Sequence, residues 1–363
     1  ADLADEDAIP DGADEVQVCV LPDPLELSLV AVLGVETFDD LAAEAWLDLK
    51  GQELTALPER LCQFSGLQQL DASWNQLAQL PEGFWQLAGL QTLDLEHNSL
   101  TALPRRFGAL RALQQLSLQD NRLTALPLSF GHLMRLQSLD LHGNQLASLP
   151  ESFGRLQELR LLDLRGNRLG EEGARALAAG LPRAAGLQRL DLKFNELGDQ
   201  GIAALAPALR SLALRGLSVA DNSLGPAGLR CLLGEPCTAF LELRSLNLSW
   251  NDVGAEGVAL LAGLLPRLPR LEELHLKAMH LDAAKMAALA PSLPASLRQL
   301  DLFRNSVGLE GARALAAAAA RCQRLELLNV MSSHLSGEAL EVLARALPPS
   351  VRRFRTDADK KPC

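Results

Sequence analysis

Tyrosine is absent from this chain of 363 residues, aromatic side chains amount to 4%, and there are only four tryptophans. A core of large aromatic rings is thereby excluded, and the 48% of hydrophobic residues must pack mainly as leucine and alanine. Positive charge is also scarce, with 34 basic residues against 45 acidic ones and a net charge of −11. That balance argues against a general affinity for nucleic acid or an anionic membrane, since both attract clustered Lys and Arg. Long apolar runs are missing too. The longest near the N-terminus, residues 25–35, is interrupted by Glu26 and Ser28 and is too short to span a bilayer, so no membrane insertion is expected. The acidic stretch ahead of it is wrong for a secretory signal, although a start at Ala1 leaves open a leader removed earlier.

Chemistry-bearing motifs are equally sparse. The six histidines, at 97, 132, 142, 275, 280 and 334, show neither HExxH nor paired ligand spacing, and no GxxxxGK[ST] loop is present. The cysteines at 19, 62, 231, 237, 322 and 363 are scattered, which favours a reducing, cytoplasmic setting. Cys231 and Cys237 lie close enough to invite a disulfide or metal reading, but no histidine or second cysteine pair accompanies them, and ordinary packing is the expectation. No cofactor, metal or catalytic group is expected.

Repetition is what the chain has in abundance. In residues 90–112, LQTLDLEHNSLTALPRRFGALRA, the spacing of Leu90, Leu93, Leu95, Asn98 and Leu100 recurs along most of the sequence. Leucines separated by one residue point the same way on a strand, so Leu93 and Leu95 face inward while Thr92, Asp94 and Glu96 face out. Leu103, Phe107 and Leu110 then return the chain so that the next strand can lie parallel to the first. One copy cannot bury its own leucines, and copies must stack with capped ends. The asparagine stands where the chain turns off the strand, and its amide can satisfy backbone groups freed there.

This pattern resembles the leucine-rich repeat family over roughly residues 46–335, with Asn in frame at 75, 98, 121, 144, 167, 195, 222, 251 and 305. Gln52, Met279 and Ser333 depart from it and predict a weaker ladder at those places. The resemblance implies an α/β solenoid, or horseshoe, with a parallel β-sheet on its concave face. The first strand leucines, from Leu47 to Leu162, are 23 residues apart, whereas those from Leu190 to Leu328 follow at 26 to 29. In the short class, LPxxFGxLxxL places a proline where a helix cannot continue. In the long class, stretches such as LGEEGARALAAGLP read as helices. Convex helices are therefore expected mainly in the C-terminal half, with a stronger bend there because helices pack farther apart than strands. The short class resembles intracellular repeats of Ras-scaffold proteins, and the long class resembles the ribonuclease inhibitor type, which also occurs in Ran GTPase activators.

The expected organisation is an acidic disordered tail (1–15), an N-terminal cap (16–45), short repeats (46–168), ribonuclease-inhibitor-like repeats (169–348) and a C-terminal cap strand and tail (349–363). Residues 16–20 read as a strand, residues 24–34 as a short helix, and Thr37 with Asp40 as a capping box. The run Ala316 to Ala320 is expected to allow close approach between helices.

Function is expected to lie on the outward concave columns. One column is rich in aspartate, from Asp48, Asp71 and Asp94 through Asp140, Asp163 and Asp191 to Asp301; these acids are expected to stay solvated, part of a surface rather than a catalytic pair. Phe303 and Met331, with Leu327 one column away and Arg304, Arg353 and Arg355 around them, have the composition of an interface centre. A tail folded over them is the competing expectation. Trp74, Phe194 and Trp250, each just before a repeat asparagine, form a second set. Glu96, His97, His142, Arg165, Lys193 and Lys277 complete the candidate partner-binding residues. The expected partner is a protein read with two-ended electrostatics, acidic at the first half and basic at the second. The isolated chain is expected to be a monomer. A non-catalytic interaction module is the primary reading, and a Ran-type regulator of a small GTPase the alternative.

Overall fold

A computed structural model describes residues 23–234 and 240–357. The expectations for residues 1–15 and 16–20, for Cys19, Cys237 and Cys363, and for the tail after residue 357 fall outside the described residues.

Each repeat contributes a strand of three residues. In chain order these are β1 (Trp46–Asp48), β2 (Gln69–Asp71), β3 (Thr92–Asp94), β4 (Gln115–Ser117), β5 (Ser138–Asp140), β6 (Leu161–Asp163) and β7 (Arg189–Asp191). They continue with β8 (Gly216–Ser218), β9 (Ser245–Asn247), β10 (Glu273–His275), β11 (Gln299–Asp301), β12 (Leu327–Asn329) and β13 (Arg353–Arg355). All thirteen form one parallel sheet in sequence order. The registers Leu47↔Leu70, Leu93↔Leu116 and Leu328↔Phe354 align the inward positions from end to end.

The outer side changes character along the chain. After Pro58, Pro81, Pro127 and Pro150 it forms only short 3₁₀ turns, such as Glu82–Gln86 and Leu128–His132, because proline cannot extend a helix from within. Beyond β6 it forms α-helices. With α1 (Pro24–Leu33) in the N-terminal cap, these are α2 (Gly170–Gly180), α3 (Gly198–Ser211), α4 (Pro226–Leu233), α5 (Gly254–Leu264), α6 (Ala283–Leu289), α7 (Gly308–Ala319) and α8 (Gly337–Ala346). Ala316, Ala318 and Ala319 are buried where α7 packs between α6 and α8, as a run of small side chains allows.

Two columns tie the repeats together. Behind the short repeats, Phe84, Phe107 and Phe130 lie nearly parallel at 6.4 and 6.2 Å between successive rings. Gly108 has no room for a side chain because the carbonyl of Ser129 occupies that place. The second column is the buried asparagine ladder. The amide of Asn121 donates to the carbonyls of Leu95 (2.9 Å) and Leu118 (3.1 Å) and accepts from the Leu100 N–H (3.0 Å). It thus joins one repeat to the one before. Ser333 keeps the bond to the preceding repeat, to Leu302 O at 3.0 Å, beside a longer contact with Met331 O at 3.4 Å, while Met279 joins the ladder through its backbone N–H, which donates to Asn305 Oδ1 at 3.1 Å.

The cap closes the first repeat. Asp40 accepts the Thr37 N–H at 2.7 Å as a capping box does, Phe38 meets Phe64 with ring centres 5.1 Å apart, and Arg60 pairs with Glu26 and Asp39 at 3.3 and 2.6 Å. Cys62 and Cys322 are buried thiols and Cys231 is an exposed one. Among the described residues, no helix is long and apolar enough to cross a membrane.

Candidate interaction surface on the concave face

The aspartate column has a local structural origin. Where the chain leaves the strand, the side-chain oxygen of Asp71, Asp94, Asp140, Asp163 and Asp191 accepts the backbone N–H two residues on, at 2.9 to 3.0 Å. Asn247 and Asn329 do the same at 3.1 and 3.2 Å. At β10 the column carries His275 instead, and the Lys277 N–H is taken by the Ser249 hydroxyl at 3.1 Å.

The expectation that these acids stay solvated fits exposed Asp48 but is corrected for Asp71, Asp94, Asp140, Asp163 and Asp191. They lie half-buried between neighbouring side chains, and burial pushes the Asp94, Asp140 and Asp191 carboxyls above the ordinary carboxylate range, against the hydrogen bond each accepts. Repulsion from Asp71 and Glu96 adds to the shift at Asp94, and from Asp163 at Asp140 and Asp191. Asp301 goes the other way. Burial raises it, but hydrogen bonds from His275, Lys277 and the Phe303 N–H outweigh that and hold it below its ordinary value.

A further column, just before each repeat asparagine, is left-handed throughout. Gly51, Gly143 and Gly166 have φ of 61 to 66°, and bulkier residues share the left-handed region: Trp74 (57°), His97 (51°), Phe194 (55°), Trp250 (60°) and Arg304 (58°). A non-glycine residue in this region costs on the order of 1 kcal/mol. The cost is offset because each backbone N–H reaches the next repeat, as from Trp74 to Glu96 O (2.9 Å) and from Trp250 to Lys277 O (2.7 Å). The side chains are turned out along the rim of the sheet, leaving Trp74 53%, Phe194 50% and Trp250 39% exposed.

The sequence candidates gather into separate clusters. At the N-terminal end, Trp74 lies against His97 with ring centres 3.8 Å apart and planes tilted by 34°, and donates Nε1–H to Glu96 at 3.0 Å, while His97 Nε2 stands 3.4 Å from Asp120. His142 is half-buried, with Nδ1 occluded and unbonded. In the middle, Arg165 is held by Asp163 at 2.8 Å, and the Lys193 ammonium lies 4.6 Å from the Phe194 ring centre. Farther on, Lys277 pairs with Asp301 at 3.0 Å, and the Arg304 guanidinium lies 5.5 Å from Trp250 and 5.8 Å from Phe303. The two aromatic sets therefore meet through Arg304. Phe303, Leu327 and Met331 are half-buried, with Arg353 and Arg355 exposed beside them.

A hollow of about 730 Å³ crosses the sheet from β6 to β10. Its floor is low because β8 and β9 present Gly216, Ser218 and Ser245 outward. A Cβ on Gly216 would stand 3.3 Å from the Arg189 side chain, which lies across it. Arg165 and Arg244 at the hollow are held by Asp163 and Glu272. Arg189 and Arg215 are exposed and make no ion pair among the described residues. Arg215, Arg244 and Gly216 are not among the sequence candidates. The signal that could have found them is the run of small outward residues Gly216, Ser218 and Ala220 in one repeat. Among the described residues, no group of His, Cys, Asp and Glu could hold a metal ion.

These features define a class: an open parallel β solenoid whose concave sheet is a side-chain surface rather than a closed pocket. The chain is a leucine-rich repeat protein. Family profiles described as leucine rich repeat match residues 79–123 and 118–169, and again residues 187–206, 243–262 and 294–316. No curated protein matches it. Among solved structures, a leucine-rich repeat protein of Leptospira interrogans is 26% identical, with a TM-score of 0.56 over 83% of this chain and 75% of the other. An internalin of Listeria monocytogenes aligns at 17% identity with a TM-score of 0.61 over 95% of this chain and 100% of its own. A TLR13 complex with ssRNA aligns at 21% identity and a TM-score of 0.56, over 86% of this chain and 43% of that one. The last two are likenesses of fold alone.

Proposed function

We propose that this chain is a non-catalytic interaction module whose concave face holds a protein partner, with a protruding polar segment seated in the hollow between β6 and β10. The observation that carries this reading is the pair Arg189 and Arg215, cations without carboxylate partners among the described residues, above a floor of small side chains. A carboxylate on the partner would complete them. The contact continues towards Trp250, Phe303 and Arg304, where apolar rings lie beside a guanidinium.

The wide, open shape suits a protein loop better than a small substrate, which needs a concave site that buries most of its surface. The two-ended electrostatic reading narrows to the cations left free by the chain itself. Arg165 and Lys277 are spent on Asp163 and Asp301, so the salt dependence of association rests on Arg189, Arg215, Arg353 and Arg355. The TLR13 complex shows an arc of this kind with RNA, but a chain of net charge −11 is poorly suited to it.

The test is binding of the purified partner to the Arg189→Glu and Arg215→Glu variants across a range of salt. Loss of affinity with a slower on-rate supports the reading; unchanged binding rejects the hollow as the site. GTP hydrolysis by a panel of small GTPases is expected to be the same with and without the chain, and acceleration would favour the GTPase-regulator reading instead.

A further inference from the structure

The short repeats carry Glu59, Glu82 and Glu151 directly after the proline of LPE, but two neighbouring repeats break that spelling. LPRRF has Arg105 and Arg106 there, and LPLSF has Leu128. Between residues 101 and 150 there are five arginines and two acids, and the acids, Asp120 and Asp140, belong to the concave columns. The convex side of this stretch is therefore purely basic on a chain with an excess of acid.

The structure brings these side chains to one groove of about 350 Å³ on the convex surface, walled by Trp85, Arg105, Arg106, Arg111, Ser129 and His132. Its floor is the close contact of adjacent turns, where the Ser129 hydroxyl donates to Arg105 O at 2.7 Å and accepts the Gly108 N–H at 3.1 Å. The Arg106 guanidinium lies 4.8 Å from the Trp85 ring centre. None of Arg105, Arg106, Arg111 and His132 makes an ion pair among the described residues. Leu128, 79% exposed, and Met134, 46% exposed, stand on the same convex segments.

We propose that this groove is a second docking site, opposite the concave face, for an acidic peptide segment of a partner protein with an apolar side chain beside its carboxylates. The occupant follows from the chemistry. Guanidinium forks match carboxylates in pairs, Trp85 offers a flat apolar wall, and Leu128 and Met134 give the neighbouring apolar residue a place to rest. Glu82 and Glu151 border the basic stretch on the same outer turns and set the register of such a peptide by repelling its ends.

The probe is a fluorescein-labelled acidic peptide, Asp-Glu-Asp-Leu-Leu-Glu-Asp-Glu, titrated against the full chain by anisotropy, with tryptophan emission followed in parallel. Saturable binding is expected, with affinity falling about tenfold in an Arg105→Glu, Arg106→Glu variant. Binding that weakens with salt, and a change of emission that is lost in Trp85→Phe, are expected with it. Arg183→Glu, on the convex side beyond the groove, is expected to bind normally. Equal binding by the Arg105→Glu, Arg106→Glu variant with an unchanged melting temperature overturns the proposal, as does absence of binding by the parent. Preference for a single-stranded RNA oligonucleotide over the peptide would make the groove a phosphate site and overturn it too. Binding seen only after removal of residues 1–15 would reject a partner protein as the occupant. A variant that unfolds is replaced by Arg105→Gln, Arg106→Gln, which keeps a polar, unbranched side chain without charge and is expected to lose affinity in the same direction.

Discussion

The Asp94 carboxylate accepts the backbone N–H of Glu96 at 2.9 Å, the same bond that Asn247 makes to Ser249 at 3.1 Å. An asparagine can therefore do this structural work without a charge. Because burial raises Asp94 above its unfolded value, its ionised form weakens the fold, and that cost is fully present above the folded-state value. Asp94→Asn is expected to raise the urea midpoint at pH 7. The gain should shrink as pH falls towards the unfolded carboxylate value of about 3.9, where both states become protonated. A variant less stable than the parent at pH 7 would show that the carboxylate is stabilising after all.

The asparagine ladder is expected to be among the most sensitive features. Asn121→Ala strips three carbonyls and the Leu100 N–H of a side-chain partner in a buried place. The expected loss is about 3 kcal/mol, since each buried group left unsatisfied costs roughly 1–3 kcal/mol. Chemical denaturation measures it directly, and a loss below that of an ordinary surface substitution would deny the ladder its role.

Leu118 and Leu248 are fully buried between neighbouring strands. Replacing either by Ala is expected to cost about 2–5 kcal/mol. Gln119→Ala, which gives up a single 3.0 Å bond to Asp120 at the half-buried surface, is expected to cost far less. Comparable midpoints for all three would mean that the inward and outward frame is shifted by one residue.

At the second-half rim, Phe303→Ala removes one of the two rings that the Arg304 guanidinium approaches. Partner affinity is expected to fall by more than about 1 kcal/mol with the melting temperature unchanged. Normal binding, or early unfolding, would place the contact elsewhere along the arc.

Most of the fold was legible because it is written in the positions of leucine and asparagine. The period-two leucines gave the strands and their parallel order, and the change from LPxxF to helix-like spacing gave the switch of outer element between β6 and β7. The rim column was harder to read. Trp74, His97 and Phe194 carry no glycine signal of a left-handed backbone, and only Gly51, Gly143 and Gly166 in the same frame disclose it. Aspartate misleads because its bond is local: LDL looks like a ladder of solvated charge, although the N–H two residues on needs an acceptor. The hollow is not legible in charged and aromatic residues because it depends on what Gly216 and Ser218 lack, which is side-chain volume.

A concave sheet that binds protein should capture its partner from within the hollow. The most direct measurement places a photo-crosslinking amino acid at Ser245, in the hollow, or at Ala176, exposed on α2, in the chain expressed in its own cells. One discrete crosslinked protein is expected from Ser245 and not from Ala176, and its purified form is expected to bind the parent and lose affinity for Arg189→Glu. Crosslinks of equal pattern from both positions, or none from Ser245, would contradict a protein-binding concave face.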